Sequence, residues 1–468
     1  MNWGTEHGAE ARGGRGSRGS RGSTRLSRRG LLTTAPLAAG AASGGLLAAA
    51  CSAPGEPAAE RPGAVVQPLT LRYITEPGRV GSGVQDVVAR WNARGTPVRV
   101  ELEGVPGTFS EKVLTAAAGG DPPDVVHSHP RDYHAWLNAG ALLALDDRLK
   151  KERHNVPDIL PAALEYWNRD GKRWAVPYNL SVQNVYFNRD LFARQGLKTP
   201  DQHEREGTWT WETYLDLARR LTTGQGEDKV FGAVWRAANL DIQLGTIWPF
   251  GGDLWDKAMT RTTLDSRESL EALQFIADLH SRYGVSPTDE EWNQFAAAPS
   301  NTWGAAFSAG RCALEIQPND SLAPHVVPAP FQKGVAPMPK GRAGRVVRGL
   351  AVGVHLMKGA KNPDAGWAFA NFHADKESEQ IMLDLHLTLP WHTSGFTDLQ
   401  KTMPLLPWED AGAYAEDVRR LRPTPYVAQF SEINRIWVAA FTAVRLGQRT
   451  AAQMLTDLKP QIEVLLKS

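Results

Sequence analysis

The chain has 468 residues, of which 42% are hydrophobic and 22% are charged, and its formal net charge is +1. This composition is close to that of soluble globular proteins, and the length exceeds what one hydrophobic core usually fills, so two lobes or domains are expected. Residues 1–50 hold seven arginines and two acids, whereas the remainder carries 45 basic and 49 acidic side chains. A mildly acidic body argues against nucleic-acid binding, because that binding depends on basic side chains that neutralise phosphates.

The cysteine content excludes two classes of small structural site. Only Cys51 and Cys312 are present, too few for a zinc cluster or a disulfide framework. Cys312 lies in "GRCALEI" between apolar residues, which predicts a small buried side chain rather than a reactive thiol.

The N-terminal segment has the pattern of an export signal followed by a lipid attachment site. Arg28 and Arg29 precede a weakly apolar run that ends at Ala50, which is typical of a twin-arginine signal over residues 1–50. The sequence "LAAAC" then resembles a bacterial lipoprotein cleavage box. After cleavage Cys51 would be the first residue and carry the lipid. An uncleaved N-terminal membrane anchor is the alternative.

The Pro/Ala/Gly-rich residues 51–66 are predicted to be a flexible tether, with Cys51 as its lipidated end. No later apolar run reaches the roughly 18 residues needed to span a bilayer. We therefore expect an extracytoplasmic body that is anchored to the outer face of the cell membrane.

From Leu69 onward, strand patterns alternate with helix patterns. The segments "LTLRYIT", "VRVELEGV" and "PDVVHSH" read as strands, and helices are predicted after each of them. This alternation predicts a parallel sheet in an α/β fold, with ligands bound beyond the carboxyl ends of the strands. Four residue pairs with capping-box spacing are predicted to mark helix starts: Ser82 and Gln85, Thr108 and Glu111, Asp265 and Glu268, and Thr450 and Gln453.

Eight segments between Leu69 and Lys467 carry a recognisable combined pattern. They are "FSEKVLTAAAGGDPPDVV", "GALLALDD", "GKRWAVPYNLSVQNVYFNRDLFARQGL", "TWTWETYLDLARRL", "FGGDLW", "FSAGRCALEI", "VAPMPKG" and "KNPDAGWAFANFHADKESEQ". In this order they resemble the carbohydrate-type extracellular solute-binding proteins of ABC importers, a family that includes maltose-binding protein.

The resemblance implies a two-lobed fold, each lobe a mostly parallel sheet flanked by helices, that closes about a hinge on its ligand. It also implies a monomer that captures a sugar or oligosaccharide and presents it to the permease subunits of an importer, without a cofactor. Transferred to this chain, the boundaries are lobe 1 at 67–177 plus 350–389, lobe 2 at 178–340 plus 397–468, and hinge crossings near 176–182, 341–349 and 390–396.

A sugar site needs flat aromatic surfaces for ring faces and polar groups for hydroxyls. Of the fifteen tryptophans after the leader, Trp91, Trp367 and Trp437 lie on apolar helix faces and are predicted to be core residues. The remaining candidates follow strands, occupy predicted loops or lie where the resemblance places a crossing or a ligand loop. They are Thr75, Glu76, Arg79, Gly107, Thr108, His127 and Ser128 on lobe 1, Trp235, Trp248, Gly252, Asp253, Asn319 and Asp320 on lobe 2, and Tyr178, Asn179, Arg348 and Trp391 at the crossings.

Other functions stay open at this point. An exported carbohydrate-active enzyme would need two facing carboxylates, and the sequence shows no hydrolase, metalloprotease, P-loop or dinucleotide motif. His127 and His129 could share a strand face, but no third metal ligand has a fixed spacing from them, so no metal site is predicted. A lipoprotein acting as a sensor or adhesin would have the same leader and fold.

Overall fold

The computed structural model describes residues 68–76, 79–105, 109–151, 158–235, 237–288, 291, 305–321 and 326–467, and a nine-stranded mixed β-sheet runs through this part of the protein. Asn168–Arg169 and Lys172–Arg173 pair with each other in a separate two-stranded sheet. The described residues all belong to one unit, Val65–Ser468. Arg28, Arg29, Cys51 and the predicted leader and tether lie outside them. The strands are β1 Leu69–Thr75, β2 Val98–Gly104, β3 Val125–Ser128, β4 Asn168–Arg169, β5 Lys172–Arg173, β6 Val176–Asn188, β7 Phe231–Val234, β8 Cys312–Pro318, β9 Lys333–Ala336, β10 Val347–Leu356 and β11 Leu421–Arg422.

Helices cover both faces of this sheet. They are α1 Arg79–Asn92, α2 Phe109–Ala118, α3 Pro130–Asn138, α4 Asp146–Lys151, α5 Pro161–Glu165, α6 Arg189–Arg194, α7 Pro200–Arg205, α8 Trp211–Leu221, α9 Leu240–Phe250, α10 Arg267–Ser281, α11 Ala305–Ser308, α12 Pro363–His373, α13 Lys376–Asp384, α14 Thr393–Thr397, α15 Leu399–Thr402, α16 Ala411–Arg419, α17 Phe430–Arg445 and α18 Ala451–Leu465. None of the helices in the described part of the chain combines the length and the apolar character of a membrane span.

The first three strands form the parallel arrangement that the sequence predicts. Strand β1 lies between β2 and β3 and is parallel to both, with Leu69 opposite Val98 and Tyr73 opposite Val125. Strand β10 then joins β3 in the antiparallel direction. The α/β fold with a mostly parallel sheet is confirmed. Its antiparallel pairs are those of β10 with β3 and β6, and those of β6 with β8 and β9.

Strand β6 belongs to both halves of the sheet. Its residues 176–182 pair with β10, and its residues 183–188 pair with β8 and β9. We call the half that contains β1–β3 the first lobe and the half that contains β7–β9 the second lobe. The predicted crossing at 176–182 therefore falls on the part of β6 that pairs with β10.

Residues 388–389 are hydrogen-bonded to β6 at Leu180, within the predicted crossing. The backbone N–H of Leu180 donates to Thr388 Oγ1 at 2.9 Å, and that of Leu389 donates to the Leu180 carbonyl at 2.8 Å. The predicted crossing at 390–396 begins directly after this contact. The predicted lobe boundaries as a whole stay predictions.

The core residues that were predicted from apolar helix faces are confirmed. Trp91, Trp367 and Trp437 are buried, and so is Cys312, whose Sγ donates to the Leu314 carbonyl at 2.9 Å. Burial raises the pKa of the Cys312 thiol well above its usual value, which keeps it protonated and unreactive.

The helix starts follow the predicted caps only in part. Thr450 and Gln453 form the expected capping box of α18. Helix α10 is instead capped by Ser266, whose side chain accepts from the N–H of Ser269, and not by Asp265. The predicted start of α1 at Ser82 is wrong, because the helix already begins at Arg79.

Candidate functional site

A buried ion pair lies where β10 leaves the second lobe. Arg348, the second residue of β10, donates from Nη2 to Oδ2 of Asp241 at 2.6 Å, and Tyr426 donates its hydroxyl to the same oxygen at 2.9 Å. Burial alone would lower the pKa of Arg348, but the charges of Asp241 and Tyr426 outweigh it and raise that pKa. Arg348 is therefore a fixed cation at the junction of the lobes.

A second set of charges follows β3 in the first lobe. Arg131 approaches Glu76 at 3.6 Å and Asp132 at 3.8 Å, and its backbone N–H donates to Nδ1 of His129. His129 caps the start of α3, which explains why these residues lie at the carboxyl end of β3. Burial raises the pKa of Asp132 to about 7, against the opposing effect of Arg131.

The two sets meet across the lobes. The ring of His129 packs edge-on against Tyr426, with 5.8 Å between the ring centroids. The positive charges of Arg131 and Arg348 both add to burial in lowering the pKa of His129. We call Glu76, His129, Arg131, Asp132, Asp241, Arg348 and Tyr426 the cleft cluster.

Oxygen atoms without protein partners lie beside this cluster. Ser181 and Gln183 are on β6, and Gln243 and Thr246 are on α9. One side-chain oxygen of each is buried and has no hydrogen-bond partner among the described residues. A buried oxygen of this kind costs about 1–3 kcal/mol unless another molecule supplies a partner.

Two predicted residues are held at the same crossing. The side chain of Asn319 accepts from the N–H of Val182 at 2.8 Å, which ties the end of β8 to β6. Asn179 donates to the Leu387 carbonyl at 2.7 Å and keeps a buried Oδ1 without a partner among the described residues. Asp320 follows Asn319 in a short 3-10 turn and is half-buried.

Several lobe 1 candidates point into the first-lobe interior. His127 and Tyr178 are buried and hydrogen-bonded to each other, and Tyr178 also packs against His373 with 4.1 Å between ring centroids. Ser128 is bonded to Nε2 of His355 at 2.6 Å. Thr75 is buried at the end of β1, and its hydroxyl donates to the Glu76 carbonyl at 3.3 Å.

The tryptophan candidates are enclosed by protein, which the loop pattern did not predict. Trp235 stacks on Trp211 with 5.2 Å between centroids. Trp248 lies inside α9, not in a loop, and donates to Asp253 at 3.0 Å. Trp391 is buried and donates to the Ala374 carbonyl at 3.1 Å.

Gly252 and Asp253 also have structural partners. A Cβ at Gly252 would lie 2.4 Å from Ser269 Oγ, so this glycine permits close packing of the chain on α10. Asp253 is paired with Arg422 at 2.6 Å, and the guanidinium of Arg422 lies 4.6 Å from the centre of the Trp248 ring. The predicted ligand contacts of Gly252 and Asp253 stay predictions.

Three candidates cannot be placed in the site. Gly107 and Thr108 lie outside the described residues, and of Arg79 only its position as the first residue of α1 is described. Conversely, Arg131, Asp132, Asp241, Tyr426 and the oxygens on β6 and α9 were not predicted. The loop "HSHPRD" after β3 already contained two of them, whereas Asp241 and Tyr426 join the site only through contacts distant in sequence.

Comparisons with known proteins agree with this architecture. The bacterial extracellular solute-binding protein family matches residues 75–380. A putative binding protein of Brucella abortus (strain 2308) is 22% identical over 405 residues, covering 83% of this chain and 91% of that protein.

Two solved structures share the fold. An ABC substrate-binding protein of Listeria monocytogenes in complex with cycloalternan has a TM-score of 0.74 at 20% identity, covering 85% of this chain and 99% of that one. UgpB of Mycobacterium tuberculosis in complex with glycerophosphocholine has a TM-score of 0.70 at 22% identity, covering 85% and 98%. Because the family match extends over more than half of the sequence, the chain belongs to the bacterial extracellular solute-binding proteins.

Proposed function

We propose that the protein is the substrate-binding subunit of an ABC importer and holds a neutral sugar or oligosaccharide between its two lobes. The observation that carries this proposal is the cleft cluster together with the adjacent buried oxygens of Ser181 and Gln183. Family membership supports the transport role, and the cycloalternan complex of the Listeria protein supports a carbohydrate ligand.

The charge balance of the cleft cluster favours a neutral ligand. The cations of Arg131 and Arg348 are already matched by the carboxylates of Glu76 and Asp241. A phosphate or carboxylate would have to displace Asp241 from a buried pair, which is costly because one charge would remain uncompensated. Hydroxyl groups can instead donate to the unpartnered oxygens and accept from the free Nε of Arg348 without disturbing the pair.

A thermal-shift experiment tests the ligand class. The purified protein is heated with maltotriose, mannotriose, mannitol, glycerol 3-phosphate or glycerophosphocholine at the same concentrations. Binding to the native state raises the Tm, and we expect this for at least one neutral sugar or polyol and not for glycerol 3-phosphate. A shift with glycerol 3-phosphate alone would contradict the neutral-ligand proposal.

The transport role is tested in cells. Deletion of the gene should abolish uptake of the radiolabelled ligand found by thermal shift, and the wild-type gene should restore it. Normal uptake in the deletion strain would favour a sensor or adhesin instead. Incubation of the protein with oligosaccharides should give no cleavage products, as expected for a binding protein and not for an exported enzyme.

We further propose that Arg28 and Arg29 direct export and that Cys51 carries the lipid that holds the protein at the outer face of the cell membrane. The supporting observation is the position of Cys51 at the end of a small-residue box before a Pro/Ala-rich stretch. Metabolic labelling with a palmitate analogue should mark the wild-type protein and not Cys51→Ala. Arg28→Lys with Arg29→Lys should retain the precursor inside the cell. Labelling of Cys51→Ala would refute the lipid assignment.

A further inference from the structure

A groove of about 690 Å³ lies at the opposite end of the second lobe from the cleft cluster. We call it the distal groove and define it by Arg189, Gln332, Lys333, Gln400, Trp408 and the start of α16. Asn188 at the end of β6 pairs with Lys333, whereas Val182 of the same strand pairs with Gly349 beside Arg348. Six residues of strand separate these positions by about 20 Å, so the distal groove is separate from the cleft.

The charged groups of the distal groove are satisfied within the protein. The Lys333 ammonium donates to the carbonyls of Val327 and Ala329 at 3.0 and 2.6 Å. Arg189 is paired with Asp201 at 3.1 Å. Glu409 accepts from the Tyr414 hydroxyl at 2.6 Å and from a backbone N–H at 2.7 Å. Asp410 likewise accepts from the N–H of Gly412 at 2.8 Å, so an ionic ligand would have to compete with hydrogen bonds that these charged groups already make within the protein.

Trp408 differs from the other tryptophans in the described part of the chain. Of the thirteen tryptophans in that part, eleven are buried and two, Trp174 and Trp408, are half-buried. The Trp174 indole donates to the Arg169 carbonyl at 3.2 Å, whereas the Trp408 indole N–H has no protein acceptor among the described residues. Tyr186 packs edge-on against the Trp408 ring at 6.4 Å and supports it from within the lobe.

The polar groups left without a partner among the described residues are the Trp408 indole N–H and the side-chain amides of Gln332 and Gln400. The Trp408 ring lies beside them, with the Lys333 ammonium 5.7 Å from its centre. An aromatic face fits the C–H surface of a sugar ring, and neutral amides pair with its hydroxyls in both donor and acceptor roles. The volume lies within the range of small-molecule sites. We propose that the distal groove is a second site, which binds one neutral glycosyl unit stacked on Trp408.

Saturation-transfer NMR and calorimetry with maltotriose, mannotriose and cellotriose test this proposal. Each sugar is measured with the wild type, with Trp408→Ala and with the matched control Trp174→Ala. We expect calorimetry to show two sugar sites per wild-type chain, and we expect Trp408→Ala to weaken the second site at least tenfold and leave the first unchanged. Trp174→Ala should keep both sites. Trp408→Tyr, which retains a stacking ring, should restore the second site to within a few-fold.

The outcomes separate this proposal from the proposed function. A single wild-type site that Trp408→Ala leaves unchanged, or two unchanged sites in Trp408→Ala, would overturn the second site and leave the cleft proposal intact. Weaker cleft binding in a cleft variant such as Ser181→Ala, with the Trp408-dependent site unchanged, would support the second site. Binding at the distal groove of glycerol 3-phosphate but none of the three trisaccharides would overturn the neutral-sugar class.

Discussion

Nη2 of Arg348 and Oδ2 of Asp241 lie 2.6 Å apart although 107 residues separate them in sequence, and only 7% and 9% of their side chains are exposed. The pair joins β10, which continues into the first lobe, to the start of α9 in the second lobe. The pair therefore links the two lobes at the crossing and is also the buried ion pair of the cleft cluster.

Asp241→Ala should be strongly destabilising, because it leaves the buried cation of Arg348 without its carboxylate. We expect the free energy of unfolding, measured with urea, to fall by about 3 kcal/mol. The matched control is Asp265→Ala, which breaks the more exposed Lys459–Asp265 pair and should cost less than about 1 kcal/mol. Equal losses in the two variants would show that burial does not set the strength of the Arg348 pair.

Ser181→Ala should weaken ligand binding without weakening the fold. The Ser181 hydroxyl is buried and has no protein partner among the described residues, so its removal takes nothing from the unliganded protein. Loss of one hydrogen bond to the ligand, worth about 1 kcal/mol, should lower the affinity about fivefold in calorimetry.

Ser128→Ala provides the opposite control for Ser181→Ala. The Ser128 hydroxyl is also buried, but it is bonded to His355 at 2.6 Å inside the first lobe. We expect this variant to lose about 1 kcal/mol of stability and to keep its ligand affinity. The reverse pattern, with affinity lost only in Ser128→Ala, would move the binding site away from the crossing strand.

The fold could be predicted because its signals are local. Alternating apolar residues in "LTLRYIT" and the capping residues Thr450 and Gln453 determine a strand and a helix start within a few positions. The family segments then supplied the lobe arrangement. Cap positions were less predictable, since Ser266 competes with its neighbour Asp265 and only the packed backbone decides between them.

The site was predictable only in part because long-range packing decides which side chains face the cleft. Glu76 and Arg348, predicted from their positions after β1 and in β10, are members of the cleft cluster, but Asp241 and Tyr426 carry no local pattern. Trp235 resembled an exposed loop residue, yet Trp211, which lies 24 positions earlier, encloses it by stacking. No pattern along the chain encodes that contact.

Gly252→Ala should destabilise the protein, since the glycine is needed for close packing of the chain on α10. The added Cβ would lie 2.4 Å from the Ser269 Oγ and 2.8 Å from the Ser269 backbone nitrogen. We expect a loss of about 1–3 kcal/mol in the free energy of unfolding. Gly104→Ala is the control, because a Cβ there would meet no atom within 4 Å, and it should change stability by less than about 0.5 kcal/mol. Wild-type stability in Gly252→Ala would reject the packing role.

Stability should also fall in mild acid because of buried histidines in the first lobe. Burial lowers the pKa of His127 and His355 to about 3 and that of His373 to about 4. In the unfolded chain a histidine titrates near pH 6.5, so between these values the unfolded state binds protons that the native state does not. These histidines therefore leave the free energy of unfolding unchanged above about pH 6.5 and lower it as the pH falls below that value.

Buried carboxyl groups change the pH dependence of stability in the opposite direction, so their effect must be separated from that of the histidines. Burial raises the pKa of Asp132 to about 7 and that of Asp417 well above its usual value. Their native forms take up protons more readily than the unfolded chain does, so they favour the native state as the pH falls. The net curve is a sum of both contributions, and single variants are needed to isolate a histidine.

His373→Phe isolates one histidine, and Phe369→Leu is its non-titrating control in the same cluster. His373 lies against Tyr73, Tyr178 and Phe369, and its Nε2 is 3.2 Å from the Tyr73 hydroxyl. Between pH 7.5 and 5.5, the free energy of unfolding should fall by about 1 kcal/mol less in His373→Phe than in the wild type. Phe369→Leu should lower stability equally at both pH values, because it removes packing and no titratable group. If His373→Phe and the wild type lose the same amount, His373 must be accessible to protons in the native state, and the sealed first-lobe interior on which the argument depends would be wrong.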